Sequence, residues 1–168
     1  DLETGRTRLL SSGQGKTTCA WFHPSMKKAL YSSTHLDPQF KSKVQEELNL
    51  RKSQQKAKYS WSFDETFDIF EIDLASRKTK RLTSMKGYDA EASYSPDGKW
   101  ILLASNRTGY EGKMTADEAK LFEQDPSSQM ELYVMKADGS GQAKRLTNHL
   151  GYDGGPFYNQ DGTQITWR

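Results

Sequence analysis

Apolar and polar positions along the chain fall into short, regularly spaced runs. Phe67 to Asp73 (FDIFEID) mixes apolar and acidic positions over strand length, which predicts a half-buried strand. Trp100 to Ala104 (WILLA) is a continuous apolar run of strand length, which predicts a strand buried on both faces. Ala90 to Tyr94 supplies a strand of small residues before it, and Ser95-Pro96-Asp97-Gly98 joins the two. Pro presets φ, Asp offers a side-chain acceptor and Gly a permissive backbone, so these four residues make a tight turn. The unit is a hairpin, and a lone hairpin is marginal in water, so it must stack on neighbours. Two stretches follow a different period. Phe40, Val44 and Leu48 recur every four residues among Lys, Glu, Gln and Arg, predicting a helix over 40–52 with one narrow apolar stripe. Thr115 followed by Glu118 is a capping box that predicts a second helix over 115–123, stopped by Asp125-Pro126.

The hairpin text returns. Arg81-Leu82-Thr83, Gly87-Tyr88-Asp89 and Asp97-Gly98 recur as Arg145-Leu146-Thr147, Gly151-Tyr152-Asp153 and Asp161-Gly162, always 64 residues on. Thr17 to Ser33 matches the same hairpin at an offset of 72, pairing Pro24 with Pro96 and Ser33 with Ser105. Asp1 to Leu10 matches Asp73 to Leu82, which predicts a strand at Thr7–Leu10. Between copies of the hairpin lie Phe67–Asp73 and Met130–Met135, each followed by a turn and an Arg-Leu-Thr strand. A repeat is therefore four strands, and four-stranded sheets repeated in sequence are the blades of a β-propeller. The predicted fold is all-β, an antiparallel propeller with about three blades present: blade parts 1–10, 11–83, 84–147 and 148–168, with insertions at 36–60 and 108–129. Eleven strands are too few to close a ring of about four to eight blades. The chain is thus expected to be a piece of a longer propeller of about six blades, or to pair with a second copy, because unpaired strand edges invite association.

Composition narrows the function classes. Formal charge is +2 from 24 basic and 22 acidic residues, so no global field draws the chain to nucleic acid or a membrane. No run approaches 18 apolar residues, which excludes a membrane-spanning helix. A lone Cys19 permits no internal disulfide and fits any compartment. No leader segment is visible, but a chain opening on Asp1 rather than Met is expected to have been processed or trimmed.

The repeat text resembles the TolB-like family of propeller repeats. Its signature stands here as Tyr88-Asp89, Ser95-Pro96-Asp97-Gly98-Lys99, Ser105-Asn106-Arg107, Leu132-Tyr133-Val134-Met135, Ala137-Asp138-Gly139-Ser140 and Arg145-Leu146-Thr147. The chain looks closest to TolB-family proteins of uncertain function, through Thr17-Thr18-Cys19, Tyr31-Ser32-Ser33-Thr34-His35, Tyr88 to Ala92 and Tyr152-Asp153-Gly154-Gly155. The resemblance covers the chain apart from the two insertions and implies a periplasmic or secreted location. It implies fold strongly and function weakly. No match extends to the residues by which TolB contacts its lipoprotein partner. Two hairpins depart from the pattern: the first turn is His23-Pro24-Ser25-Met26, and the third has Asn159-Gln160 in place of Ser-Pro.

In a propeller the loop entering each innermost strand opens at the channel mouth. Tyr88-Asp89 and Tyr152-Asp153 sit there in successive repeats, with Thr17 at the equivalent place in the first. Candidate ligand-binding residues are Tyr88, Asp89, Glu91, Tyr152, Asp153, His35 and Arg107. Asp89 and Asp153 could hold a divalent cation such as Ca²⁺, which wants several oxygens, or each could simply cap its own turn. No other cofactor is expected. Arg51, Lys52, Lys56 and Lys58 read as a solvated face rather than an anion-binding arm, since Glu46 and Glu47 interrupt the charge and no aromatic interleaves with it. Cys19 falls at an inner-strand start, where a packed thiol is expected. Gly13-Gln14-Gly15-Lys16-Thr17 only evokes a phosphate loop, because Leu10 stands where the pattern needs Gly. No catalytic residues are assigned. The chain reads as a non-catalytic binding or scaffold module at the cell envelope, with a protein or small ligand at the channel mouth. The alternatives are a propeller accessory to a secreted peptidase or hydrolase, and a metal-dependent lyase-type propeller.

Overall fold

The computed structural model describes residues 1–53 and 61–168. Four strands, β1 (Thr17–Phe22), β2 (Lys28–Ser33), β3 (Asp68–Asp73) and β4 (Thr79–Arg81), form an antiparallel meander, sheet 1. The next four, β5 (Asp89–Tyr94), β6 (Trp100–Ser105), β7 (Gln129–Lys136) and β8 (Lys144–Arg145), repeat that path as sheet 2, with β9 (Gly151–Tyr152) running parallel to β7. A third hairpin, β10 (Phe157–Tyr158) with β11 (Ile165–Thr166), follows. The two helices, α1 (Phe40–Lys52) and α2 (Ala116–Gln124), interrupt the two sheets at the same place, between the second and third strands.

Local chemistry explains these elements. At the Ser95–Gly98 turn Gly98 N donates to Ser95 O and sits at φ +72°, while the Asp97 carboxylate accepts from Lys99 N and Ser95 Oγ. The hydroxyl of Thr115 accepts from Glu118 N as the Glu118 carboxylate accepts from Thr115 N, closing the capping box of α2. Helix α1 buries no residue and is tied down by charge: Lys43 reaches Asp37 at 2.7 Å and Asp64 at 3.1 Å. Lys56 and Lys58 lie outside the described residues.

The sheets meet face to face. Leu30 and Ile69 of sheet 1 pack against Ala92, Tyr94, Ile101, Leu103, Tyr133 and Met135 of sheet 2. Ala90, Ala104, Met130 and Leu132 gather a second cluster with Tyr88 and Phe67, reaching Tyr152 of β9 and Ile165 of the third hairpin. Two sequence expectations need correction here. Strand β3 is buried on both faces, not one, because Phe70 and Ile72 pack with Ala29 and Tyr31 beneath Leu10 and Leu74. Its polar residues are buried because they have partners: Asp68 meets Arg81, and Glu71 accepts from Tyr94 Oη and Lys28 Nζ. Thr7–Leu10 forms no strand. A strand needs a neighbour to bond, and residues 1–6 instead close on themselves through Gly5 N to Asp1 O and the Asp1 amino group to Arg6 O.

The repeated Arg-Leu-Thr text acts as a latch. Thr83 Oγ1 donates to Asp68 and accepts from Ile69 N, while Arg81 binds Asp68 and the Thr83 carbonyl. In sheet 2 Thr147 Oγ1 donates to Glu131 and accepts from Leu132 N, while Arg145 binds Glu131 and the Thr147 carbonyl. Each latch fastens the edge strand to the one inside it.

Candidate functional site

The innermost strands carry a shared irregularity. Register slips between Thr18 and Ala20 in β1 and between Ala90 and Ser93 in β5, the signature of a β-bulge. Cys19 and Glu91 sit in these bulges at φ +46° and +55°, a left-handed conformation that non-glycine residues adopt at a cost. The third copy has Gly155 at φ +60°, just before β10. These three positions stand 72 and 64 residues apart, the offsets of the repeat itself. The repeated bulge is thus a feature of the fold, and in the third copy a glycine relieves its strain.

Cys19, Glu91 and Gly155, the three repeat-equivalent positions, all line one cavity of about 630 Å³. Trp21 and Phe157 pack together on its wall with ring centroids 5.3 Å apart and planes tilted by 40°, and Trp167 and Arg168 also line it. Glu91 holds the third hairpin in place: its carboxylate accepts from Tyr152 Oη at 2.7 Å and from Gly155 N at 2.5 Å. Burial, then the bond to Glu91, pushes the Tyr152 phenol up to about 12. The Arg168 guanidinium lies over the Tyr152 ring at 5.3 Å. The cavity therefore offers three aromatic surfaces, one cation and a carboxylate already engaged by its neighbours.

The seven residues singled out from sequence separate into distinct places. Glu91 lines this cavity, and Tyr152 comes together with it by donating its hydroxyl to the Glu91 carboxylate. Asp89 and Arg107 come together elsewhere, as a buried ion pair at 2.8 Å. Asp89 also accepts from Ser105 Oγ at 2.6 Å, and Arg107 Nε donates to the same hydroxyl. Burial pushes the Asp89 carboxyl above its ordinary value, with Arg107 opposing. The same triplet recurs in sheet 1 with Thr17, Ser33 and His35, where the His35 ring and backbone N both meet Ser33 Oγ. His35 packs against Phe70 with ring centroids 4.3 Å apart and planes tilted by 45°, and burial lowers its pKa, with a smaller push from Arg81. Tyr88 is fully buried and accepts from Trp61 Nε1 through its hydroxyl. Asp153 accepts from Trp167 Nε1 at 3.1 Å. Asp89 and Asp153 thus each have their own side-chain partner, and among the described residues neither accepts a bond from the backbone of its own turn, the second of the two readings its sequence neighbourhood offered. Among the described residues no group of three or more His, Cys, Asp or Glu side chains is placed to hold a metal ion.

Sequence reasoning missed Trp21, Phe157, Trp167 and Arg168 as cavity residues and took Cys19 as packed. The available signal was register: aligning positions 19, 91 and 155 by the repeat offset brings their neighbours into one line.

No protein-family model matches the chain. An uncharacterised protein of Agrobacterium fabrum is 30% identical over 104 residues, covering 62% of this chain and 29% of that protein. Dipeptidyl-peptidase 5 of Porphyromonas endodontalis is 39% identical over 64 residues, covering 37% of this chain and 9% of that enzyme. The crystal structure of TolB from Acinetobacter baumannii matches with a TM-score of 0.61 at 23% identity, covering 99% of this chain and 30% of that one. The chain resembles the TolB-like propellers in fold, and it spans less than a third of the length of each of these proteins.

Proposed function

We propose that the chain is part of a β-propeller and works as a non-catalytic binding module at the cell envelope, with the inner-strand cavity as its contact site. Sheets 1 and 2 are then two blades and the third hairpin the inner half of another, with blade limits at 11–83, 84–147 and 148 onward. A ring of about six blades would need further blades from a longer chain or from a second copy. The envelope location is what the resemblance of the repeat text to the TolB-like family implies. The observation that carries the binding role is the convergence of three repeat-equivalent positive-φ positions, Cys19, Glu91 and Gly155, on one aromatic-walled cavity. Ligand pockets combine apolar walls with a few placed polar groups. Here Trp21, Phe157 and Trp167 provide stacking surface and Arg168 a charge for the polar end of an occupant, while Glu91 fixes the wall.

Intrinsic tryptophan fluorescence tests the role, using a panel of short peptides and small anionic ligands. The expected result is at least one saturable ligand, bound without turnover, whose affinity falls tenfold or more in Trp167→Ala and Arg168→Ala. Saturable binding that neither substitution changes would overturn the assignment. A second function is favoured by one observation, the match to a segment of dipeptidyl-peptidase 5: a propeller domain accessory to a peptidase. Intact mass and peptidase activity of the natural protein decide it. A hydrolase domain in the same polypeptide supports it, and its absence leaves the stand-alone binding module.

A further inference from the structure

We infer that the groove between the outer strands of sheets 1 and 2 binds an uncharged peptide segment, taking one aliphatic side chain and one backbone carbonyl. The groove holds about 710 Å³. Leu82 to Met85, which lead from β4 to β5, line one side, and Tyr133 and Met135 of β7 line the other. The β7–β8 turn is drawn against sheet 1. Lys80 Nζ donates to Asp138 O at 2.5 Å, and a side chain at Gly139 (φ +76°) would come within 3.2 Å of Leu82 Cδ2. Arg107, Glu111 and Lys113 enter from the β6–β7 connection. Every lining residue falls between positions 82 and 143, so neither end of the sequence takes part.

The polar groups of the groove point to the occupant. Tyr133 is 4% exposed, and its hydroxyl has no hydrogen-bond partner among the described residues. Thr108 Oγ1 stands nearby, outside hydrogen-bond geometry, and is likewise buried and unpartnered. Buried polar groups are as a rule hydrogen-bonded, so these hydroxyls call for a partner from outside the described chain. The charges along the groove, by contrast, are matched: Arg107 with Asp89 at 2.8 Å and Lys113 with Glu111 at 2.8 Å. An ionic occupant would find no free counter-charge there, whereas a carbonyl can accept from the phenol. Leu82, Met85, Met135 and Ala143 supply the apolar wall, and thioethers adapt to varied aliphatic side chains. A sugar would use an open aromatic face. Among the described residues the one ring lining the groove is Tyr133, and the Arg107 guanidinium covers it at 4.7 Å. The groove shares no lining residue with the inner-strand cavity and does not depend on what that cavity binds.

Carbon-13 methyl spectra of the natural protein, labelled at methionine, test this with acetyl-Ala-Leu-Ala-amide as the probe. The peptide is expected to shift the Met85 and Met135 methyl signals saturably. Peptides with Asp or Lys in place of the central Leu should bind at least about tenfold more weakly. Tyr133→Phe should weaken the Leu peptide by about three- to tenfold. The same variant should leave the stability of the free protein unchanged or higher in urea unfolding, because the lost hydroxyl had no internal bond. Trp167→Ala, in the other cavity, should leave this binding as it is. No saturable shift at either methyl would leave the two hydroxyls to a bound water and overturn the inference. Equal or tighter binding of the Asp peptide, unchanged binding in Tyr133→Phe, shifts produced by glucose instead of the peptide, or loss of binding in Trp167→Ala would each overturn it as well.

Discussion

Replacing Arg107 with Met keeps the stem over Tyr133 and removes the charge opposite Asp89. The Asp89 carboxylate is fully buried and, among the described residues, its one cationic partner is Arg107, 2.8 Å away. Ser105 Oγ, which donates to Asp89 at 2.6 Å, stays in place, so the carboxylate keeps one hydrogen bond and loses its counter-charge. Stranding a buried charge in this way costs about 3–5 kcal/mol, a large share of the roughly 5–15 kcal/mol that holds a domain together. The penalty has a pH signature. Burial already raises the Asp89 carboxyl above its ordinary value while Arg107 pulls it down, so the variant raises it further. A carboxyl with a raised native pKa contributes stability that is present below its unfolded value and lost as pH rises through the native one. The Arg107→Met penalty should therefore be smaller at about pH 4 than at about pH 8, and adding Asp89→Asn should recover much of it. Urea unfolding followed by circular dichroism at the two pH values measures this. A penalty under about 1 kcal/mol at the higher pH, or one that does not change with pH, would refute the reasoning.

Three further outcomes follow from the same geometry. Burial raises the Asp68 carboxyl to about 6 despite Arg81, so Asp68→Asn should flatten a fall in stability of about 3 kcal/mol between pH 4 and 6, read from unfolding midpoints. Glu91→Gly and Glu91→Ala lose the same carboxylate, but glycine tolerates φ +55°, so Glu91→Gly should be the more stable by about 1 kcal/mol in the same assay. Thr147→Val strands Leu132 N and one Glu131 oxygen, costing about 1–3 kcal/mol, and should speed hydrogen exchange at Leu132, with Thr147→Ser restoring protection.

Where a residue's role depended on local pattern, it was legible in the sequence. The Ser95–Gly98 turn, the Thr115–Glu118 capping box and the helical spacing of Phe40, Val44 and Leu48 each rest on neighbours within a few positions. The two meanders followed from repeat offsets. Pairings across strands were harder to foresee. Asp89 looked like a turn residue because its partners, Ser105 and Arg107, lie a hairpin away, on and just beyond the neighbouring strand. The acids of Phe67–Asp73 suggest a half-buried strand, yet Asp68 and Glu71 go inside because Arg81, Thr83, Lys28 and Tyr94 meet them there. Pattern reports polarity, and a buried polar residue with a partner breaks its link to exposure. The cavity combined residues from three repeats whose individual stretches carry no distinguishing motif.

The central claim, that the repeated bulges of the inner strands surround a ligand site, is tested most directly at Cys19. It is the sole thiol in the chain and lines the cavity at the first bulge, so its alkylation rate reports occupancy. A ligand found by tryptophan fluorescence should slow that alkylation with the same saturation curve, and Trp167→Ala should abolish both effects together. Saturable binding that leaves the Cys19 alkylation rate unchanged would place the ligand elsewhere and contradict the claim.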